Sequence, residues 1–312
     1  MTEKLSLYGF NNLTKTLSFN IYDICYAKSF REQRDYLDYI NEQYNSDRLT
    51  SILVKVCEMI GATILNISKQ DYDPQGASVN ILFAEEPVNK ERQDKSNNWG
   101  YYSDGSGPIS PELEKVKTKG PKLPPPPLQR EDLALASEDS TESKATEAEG
   151  ETIHAHLDKS HITVHTFPES HPNRAISTFR VDIDVATCGT VSPIICLDYL
   201  IDSFESDIMT IDYRVRGFTR DTNGQKHFLD HPIRSIQDFI SEEQLRRYDA
   251  TDINVYQANL FHTRLMIKEI VLQNYLFNTD VYEIPPAHRL KIHEALQREM
   301  IDIYSGSNIF DL

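Results

Sequence analysis

Polar and apolar positions alternate strictly over residues 179–187, FRVDIDVAT. Phe179, Val181, Ile183 and Val185 fall on one face, and Arg180, Asp182 and Asp184 on the other. A period of two is the signature of a strand with one buried side. Residues 17–27, LSFNIYDICYA, are strand-like through their aromatic and β-branched content. The period then lengthens. Tyr36, Leu37, Ile40 and Tyr44 recur at helical spacing, and Leu49, Ile52, Leu53, Val56, Cys57 and Ile60 share a second helical face that Gly61 terminates. TILNIS and SVNILFAEE predict two strands, joined by the Asp-Pro and Gly of QDYDPQGA. Beyond 187, Ser192 predicts an N-cap and Pro193 the first turn of a helix burying Ile194, Leu197, Ile201 and Phe204. DIMTIDYRVRGFTRD predicts a further strand. The remainder reads as mostly helical, with a capping box in SEEQ at 241 and a last helix starting at a proline pair.

Between the two patterned halves the apolar period vanishes. Residues 91–150 contain KGPKLPPPPLQR and ASEDSTESKATEAEGE, and between 131 and 151 eight acidic residues face Lys144 alone. Such a segment buries too little surface to offset chain ordering at roughly 1–2 kcal/mol per residue. It reads as a disordered acidic, Pro-rich insert whose polyproline piece acts as a semi-rigid spacer. The expected fold class is α+β: a two-layer sandwich of a mainly antiparallel sheet with helices on one face. Residues 1–90 and 151–220 form that sandwich core, and 221–312 a mostly helical C-terminal extension.

Apolar residues make up 39% of the 312 positions, which suits a core that leaves part of the chain out. The formal net charge of −16 argues against nucleic acid as a main partner, because phosphate binding needs a basic footprint. Cys25, Cys57, Cys188 and Cys196 form no CxxC pair, which fits a reducing compartment. No basic-then-apolar leader opens the chain and no apolar run approaches the ~20 residues of a membrane span. A cytoplasmic protein without membrane partners is expected.

The chemistry concentrates in HLDKSHITVHTFPES, residues 156–170. Ser160 opens a strand, Lys159 precedes it, and His161 and His165 lie inside it. A Ser/His hydrolase would need an elbow of the GxSxG kind and an acid to orient the histidine, and Lys159–Ser160–His161 does not provide the elbow. Taken singly, Ser160 reads as a turn residue, His165 as a surface or satisfied core histidine and Cys188 as a small filler at a strand end. Together with TCG at 187–189, GFNNLTKTLSFNIYDICYAK near the start, QDYDPQGASV and SDIMTIDYRVRGFTRD, the chain closely resembles S-adenosylmethionine decarboxylase proenzymes of the larger bacterial type. The resemblance covers nearly everything except the insert.

That resemblance implies a self-cleaving enzyme. Ser160 would attack the carbonyl of Lys159, and elimination would then split the chain into a β chain 1–159 and an α chain 160–312 headed by a covalent pyruvoyl group. The group's ketone condenses with the amine of S-adenosylmethionine and draws electrons as CO2 leaves, the role pyridoxal phosphate plays elsewhere. His165 matches the proton acceptor in processing and Cys188 the proton donor in catalysis. Residues 160 and 165 have opposite parity in a regular strand, so Ser160 is expected on a bend or bulge. Cys188 shares parity with Arg180, Asp182 and Asp184 and is expected to expose its thiol. An oligomer of four α and four β chains and a dependence on Mg2+ are also implied, without a ligand set. Two rivals stand beside this reading: another pyruvoyl decarboxylase, acting on arginine or histidine, and a non-catalytic regulatory relative.

Other residues carry weaker signals. His227 and His231 have a metal-like interval but lack a third ligand. His293 falls on the apolar side of the last helix and is expected in the core. Of Arg214, Arg216 and Arg220, two are expected to be structural and one could bind a carboxylate. Phe10, Tyr22 and Asp23 are candidates for the sulfonium, which favours aromatic faces and carboxylates.

Overall fold

Eight strands join in one sheet, in the spatial order Ala62–Asp71, Ala77–Glu85, Ser160–Ser170, Ile176–Cys188, Thr14–Tyr26, Ile208–Arg216, Leu260–Ile267 and Tyr248–Asp252, and every neighbouring pair runs antiparallel. The computed structural model describes residues 7–8, 11–85, 160–170, 175–204 and 206–311. The expected insert at 91–150, Phe10 and Lys159 lie outside the described residues.

The strands are β1 (Thr14–Tyr26), β2 (Ala62–Asp71), β3 (Ala77–Glu85), β4 (Ser160–Ser170), β5 (Ile176–Cys188), β6 (Ile208–Arg216), β9 (Tyr248–Asp252) and β10 (Leu260–Ile267). A separate two-residue hairpin pairs β7 (Thr219–Arg220) with β8 (Lys226–His227). The helices are α1 (Phe30–Gln43), α2 (Ser46–Met59), α3 (Leu197–Phe204), α4 (Glu242–Arg247) and α5 (Pro286–Ser305).

Period-two patterning places the core. Leu17, Phe19 and Ile21 of β1, Ile81 and Phe83 of β3, Ile162 and Val164 of β4, and Val181, Ile183 and Val185 of β5 are all buried on one face. Against them pack Tyr36 and Ile40 of α1, Leu49, Leu53 and Val56 of α2, and Leu200 and Ile201 of α3. Full burial of such a side chain is worth roughly 1.5–3 kcal/mol. α1 begins at a capping box, in which Ser29 Oγ accepts from Glu32 N at 3.2 Å and Ser29 N donates to Glu32 Oε2 at 3.0 Å. α2 ends before Gly61, whose φ of +68° is the left-handed conformation that glycine adopts without cost.

The other face of the sheet is polar along most of its length. At the Ile24 and Ile208 end, α5 covers it with Ile292, Leu296 and Met300. The opposite end, where β1 starts and β5 finishes, stays open, and this end carries the site.

The C-terminal segment departs from the mostly helical expectation. β9 and β10 extend the main sheet, and only α5 is a long helix. His293 is half-buried rather than core, because the inward stripe of α5 is Ile292, Leu296 and Met300. Pro193–Cys196 forms a 3-10 turn rather than the first turn of a helix capped by Ser192. The Ser192 hydroxyl pairs instead with Tyr213 OH at 3.0 Å. Ser241 caps α4 by accepting from Gln244 N, one half of the expected capping box, and the helix is only six residues long.

Candidate functional site

β3 and β4 are adjacent and antiparallel, so the end of β3 lies beside the start of β4, with Phe83 opposite Ser160. β5 flanks β4 on its other side and ends there at Cys188. Three residues from three strands therefore meet at one sheet end. Ser160 Oγ donates to Glu85 Oε1 at 3.2 Å. The backbone N–H of Cys188 donates to the same oxygen at 2.8 Å and to Ser160 Oγ at 3.2 Å. Ser160 is buried, at 4% exposure.

Each group is tuned by this packing. Burial pushes the Glu85 carboxyl above the ordinary carboxylate range, while the Cys188 N–H, the Ser160 hydroxyl and the Lys15 charge hold it down. Burial raises the Cys188 thiol, and the Glu85 charge raises it further. The thiol is exposed, as its parity implies, and lies within hydrogen-bond reach of Thr14 and Ser160. Gly189 is favoured by its φ of +83°, which strains any other residue, and an added Cβ would also stand 3.1 Å from Glu85 Oε2.

A buried cation braces this corner from below. Lys15 occupies an apolar-face position of β1 and is 1% exposed. Its Nζ donates to Gly189 O at 2.7 Å and pairs with Asp230 Oδ2 at 2.6 Å. Asn11 Nδ2 donates to the same carboxylate at 2.6 Å, and the His231 ring meets Asp230 Oδ1 at 2.7 Å. Burial raises the Asp230 carboxyl, but the His231 hydrogen bond and the Lys15 and His231 charges outweigh it and hold the group at about 2.

On the polar face next to Cys188 a cleft of about 340 Å3 opens between β4, β5, β1 and β6. Thr16, Ser18, His161, Asp184, Arg214 and Arg216 line it. Two of the three arginines thus face the cleft, more than expected, and Arg220 is spent on Gly224 O at 2.7 Å in the β7–β8 hairpin. Tyr22 lies farther along the same face under the Arg180 guanidinium, 6.0 Å from it. Asp23 belongs to another cluster, close enough to Asp207 to share a hydrogen bond with it.

His165 is not brought to Ser160. Ser160 sits in register in the pleat, not on a bulge, so the two side chains occupy opposite faces about 16 Å apart along the strand, at ~3.3 Å per residue. His165 is exposed and its Nδ1 meets Ser78 Oγ at 2.5 Å. His227 and His231 turn to separate carboxylates, Asp221 and Asp230. Among the described residues no group of three His, Cys, Asp or Glu side chains is placed to hold a metal ion. No ligand set for Mg2+ is placed among the described residues. Among the described residues no helix is long and apolar enough to cross a membrane.

Glu85, Lys15 and Asp230 are the residues that reading the sequence alone missed. Lys15 did leave a signal: it interrupts the apolar parity of Leu17, Phe19 and Ile21 one step upstream. Glu85 left none, because its partner lies on the far side of the insert.

Ser160 and Glu85 meet on the buried face beside the end of β5, and the exposed Cys188 thiol and the arginine-lined cleft lie on the polar face, an arrangement that suits an enzyme. Comparison with known proteins agrees. Residues 132–217 match the family model described as S-adenosylmethionine decarboxylase. The S-adenosylmethionine decarboxylase proenzyme of Clostridium botulinum (strain Alaska E43 / Type E3) is 58% identical over 310 residues, covering 99% of this chain and 98% of its own. That of Clostridium beijerinckii is also 58% identical, covering 99% of both chains. That of Alkalilimnicola ehrlichii is 49% identical over 306 residues, covering 98% of this chain and 96% of its own. The chain belongs to the S-adenosylmethionine decarboxylase proenzyme family.

Proposed function

We propose that this chain is a self-cleaving S-adenosylmethionine decarboxylase, cut between Lys159 and Ser160 into fragments 1–159 and 160–312, with Ser160 converted to a pyruvoyl group. The observation that carries the reading is the meeting of Ser160 Oγ with Cys188 N at 3.2 Å over the Glu85 carboxylate. The Cys188 N–H donates to the attacking oxygen and holds it beside the Glu85 carboxylate. Once formed, the pyruvoyl group would supply a ketone able to accept the electrons left when an amino acid loses CO2.

The remaining work falls to side chains already in place. Arg214 and Arg216 present positive charge in the cleft, suited to a carboxylate. Asp184, which accepts from Ser18, offers negative charge to a sulfonium. The Cys188 thiol, kept protonated by burial and by Glu85, delivers a proton to the substrate's Cα. The family pattern assigns His165 the α-proton of residue 160 during elimination. For that contact the start of β4 must leave its pairing with Phe83 while the chain is still joined through the ester.

Denaturing electrophoresis of freshly made protein tests the cleavage: two fragments for the wild type and one chain for Ser160→Ala. Release of CO2 from carboxyl-labelled S-adenosylmethionine, compared with arginine, tests the substrate. A single wild-type band with no CO2 release would leave the regulatory reading standing.

A further inference from the structure

The family pattern provides an acceptor for the later α-proton but leaves open which group takes the first proton, that of the Ser160 hydroxyl. We infer that Glu85 is that base: its carboxylate removes the Oγ proton as Ser160 attacks the Lys159 carbonyl. This deepens the reading above and rests on it.

Glu85 Oε1 is the side-chain acceptor in hydrogen-bond contact with Ser160 Oγ, at 3.2 Å, whereas the His165 ring is on the opposite face and engaged with Ser78. The Cys188 N–H touches both oxygens, at 2.8 Å and 3.2 Å, and steadies the negative charge as it moves from carboxylate to alkoxide. Gly189 leaves room for the second carboxylate oxygen. The step balances. The Oγ–H proton goes to Glu85, the Oγ–C bond to the Lys159 carbonyl carbon forms, and the C–N bond to Ser160 breaks. The Glu85 proton then passes to the departing nitrogen, which yields an ester and a free amine with the carboxylate restored. Burial raises the carboxyl above its ordinary range, which makes it a stronger base than an exposed one. The charged and titratable groups that face it are Lys15 from β1 and Cys188 from β5.

The test follows the cleavage of newly translated full-length chain by electrophoresis and intact mass, with and without hydroxylamine, which cuts esters. Glu85→Gln should slow cleavage at least about a hundredfold. It should leave a chain that hydroxylamine does not cut, while His165→Ala should accumulate a hydroxylamine-sensitive ester. Glu85→Asp should recover part of the rate with the acid limb of its pH profile displaced from that of the wild type. Cleavage of Glu85→Gln within tenfold of wild type, or a hydroxylamine-sensitive ester in that variant, would overturn the assignment. If Glu85→Gln does not fold, the limb decides: displacement between wild type and Glu85→Asp supports the base, and coincident limbs refute it. A wild-type chain that never cleaves would instead defeat the underlying reading of Ser160.

Discussion

Lys15 and Asp230 form a buried ion pair under the Ser160 corner, and the two halves of that pair should not cost the same when removed. Asp230→Asn leaves an ammonium at 1% exposure with Gly189 O as its hydrogen-bond acceptor and the Glu85 carboxylate as a more distant opposite charge. An uncompensated buried charge costs about 3–5 kcal/mol, and the surviving Gly189 contact places this case near 3. Lys15→Met removes the charge itself, and Asp230 keeps Asn11 and His231 as partners, so about 1–2 kcal/mol is expected. The double variant Lys15→Met/Asp230→Asn should cost little more than Lys15→Met alone, far below the sum of the two. The pH dependence gives an independent figure. The Asp230 carboxyl is held at about 2 against an ordinary 3.8, worth about 2 kcal/mol. A depressed carboxyl stabilises the fold above its unfolded value, so this contribution is complete above about pH 4–5 and fades as pH falls through about 2. The measurement is urea unfolding in the Ser160→Ala background, where the chain stays whole, reading the midpoint of each variant from pH 7 down to 3. Asp230→Asn costing no more than Lys15→Met, or losing as much stability as its parent on acidification, would refute the pairing argument.

Further outcomes follow from the same geometry. Cys188→Ala should still cleave, because the donor to Ser160 is its backbone N–H, yet lose most turnover in the CO2 assay. Turnover of the wild type should fall on the alkaline side only above the usual thiol range, since burial and Glu85 both raise Cys188 and the donor must be protonated. Tyr275→Phe removes the 2.7 Å hydrogen bond to buried Asp207 Oδ1 and should cost about 1–2 kcal/mol by urea unfolding. Gly76→Ala should cost about 2 kcal/mol or more by the same measurement, because φ is +95° and the new Cβ would meet Thr166 O at 2.7 Å.

What could be read in the chain alone depended on period. β5 alternates without interruption and its buried face is the expected one, down to the exposed thiol at Cys188. α2 showed its stripe because Leu49, Ile52, Leu53, Val56 and Cys57 fill one helical face. β9 escaped because YDATD at the sheet edge is short and polar, as edge strands tend to be, and carries no alternation to detect. β10 does alternate, but within a segment whose capping signals pointed to helix. The site divides along the same line. Ser160 and Cys188 were singled out by motif, whereas the contact of Ser160 with Glu85 depends on β3 and β4 being neighbours across residues 86–159. No local pattern encodes that adjacency.

Sheet order also says why a chain cut at 159–160 should hold together. The first fragment supplies β1, β2 and β3, and the second supplies β4, β5, β6, β9 and β10. In space they interleave: β3 pairs with β4, and β1 lies between β5 and β6. The cut falls in the connection between β3 and β4, not within a ladder, so every strand pairing can survive it. Separating the fragments would tear three ladders at once: β3–β4, β5–β1 and β1–β6. It would also expose buried Leu17, Phe19 and Ile21 of β1, at roughly 1.5–3 kcal/mol for each side chain. The two fragments should therefore co-elute in native gel filtration after any length of dilution and part only in denaturant. Dissociation of fully cleaved protein in native buffer would mean that β1 is not inserted between β5 and β6 as seen here.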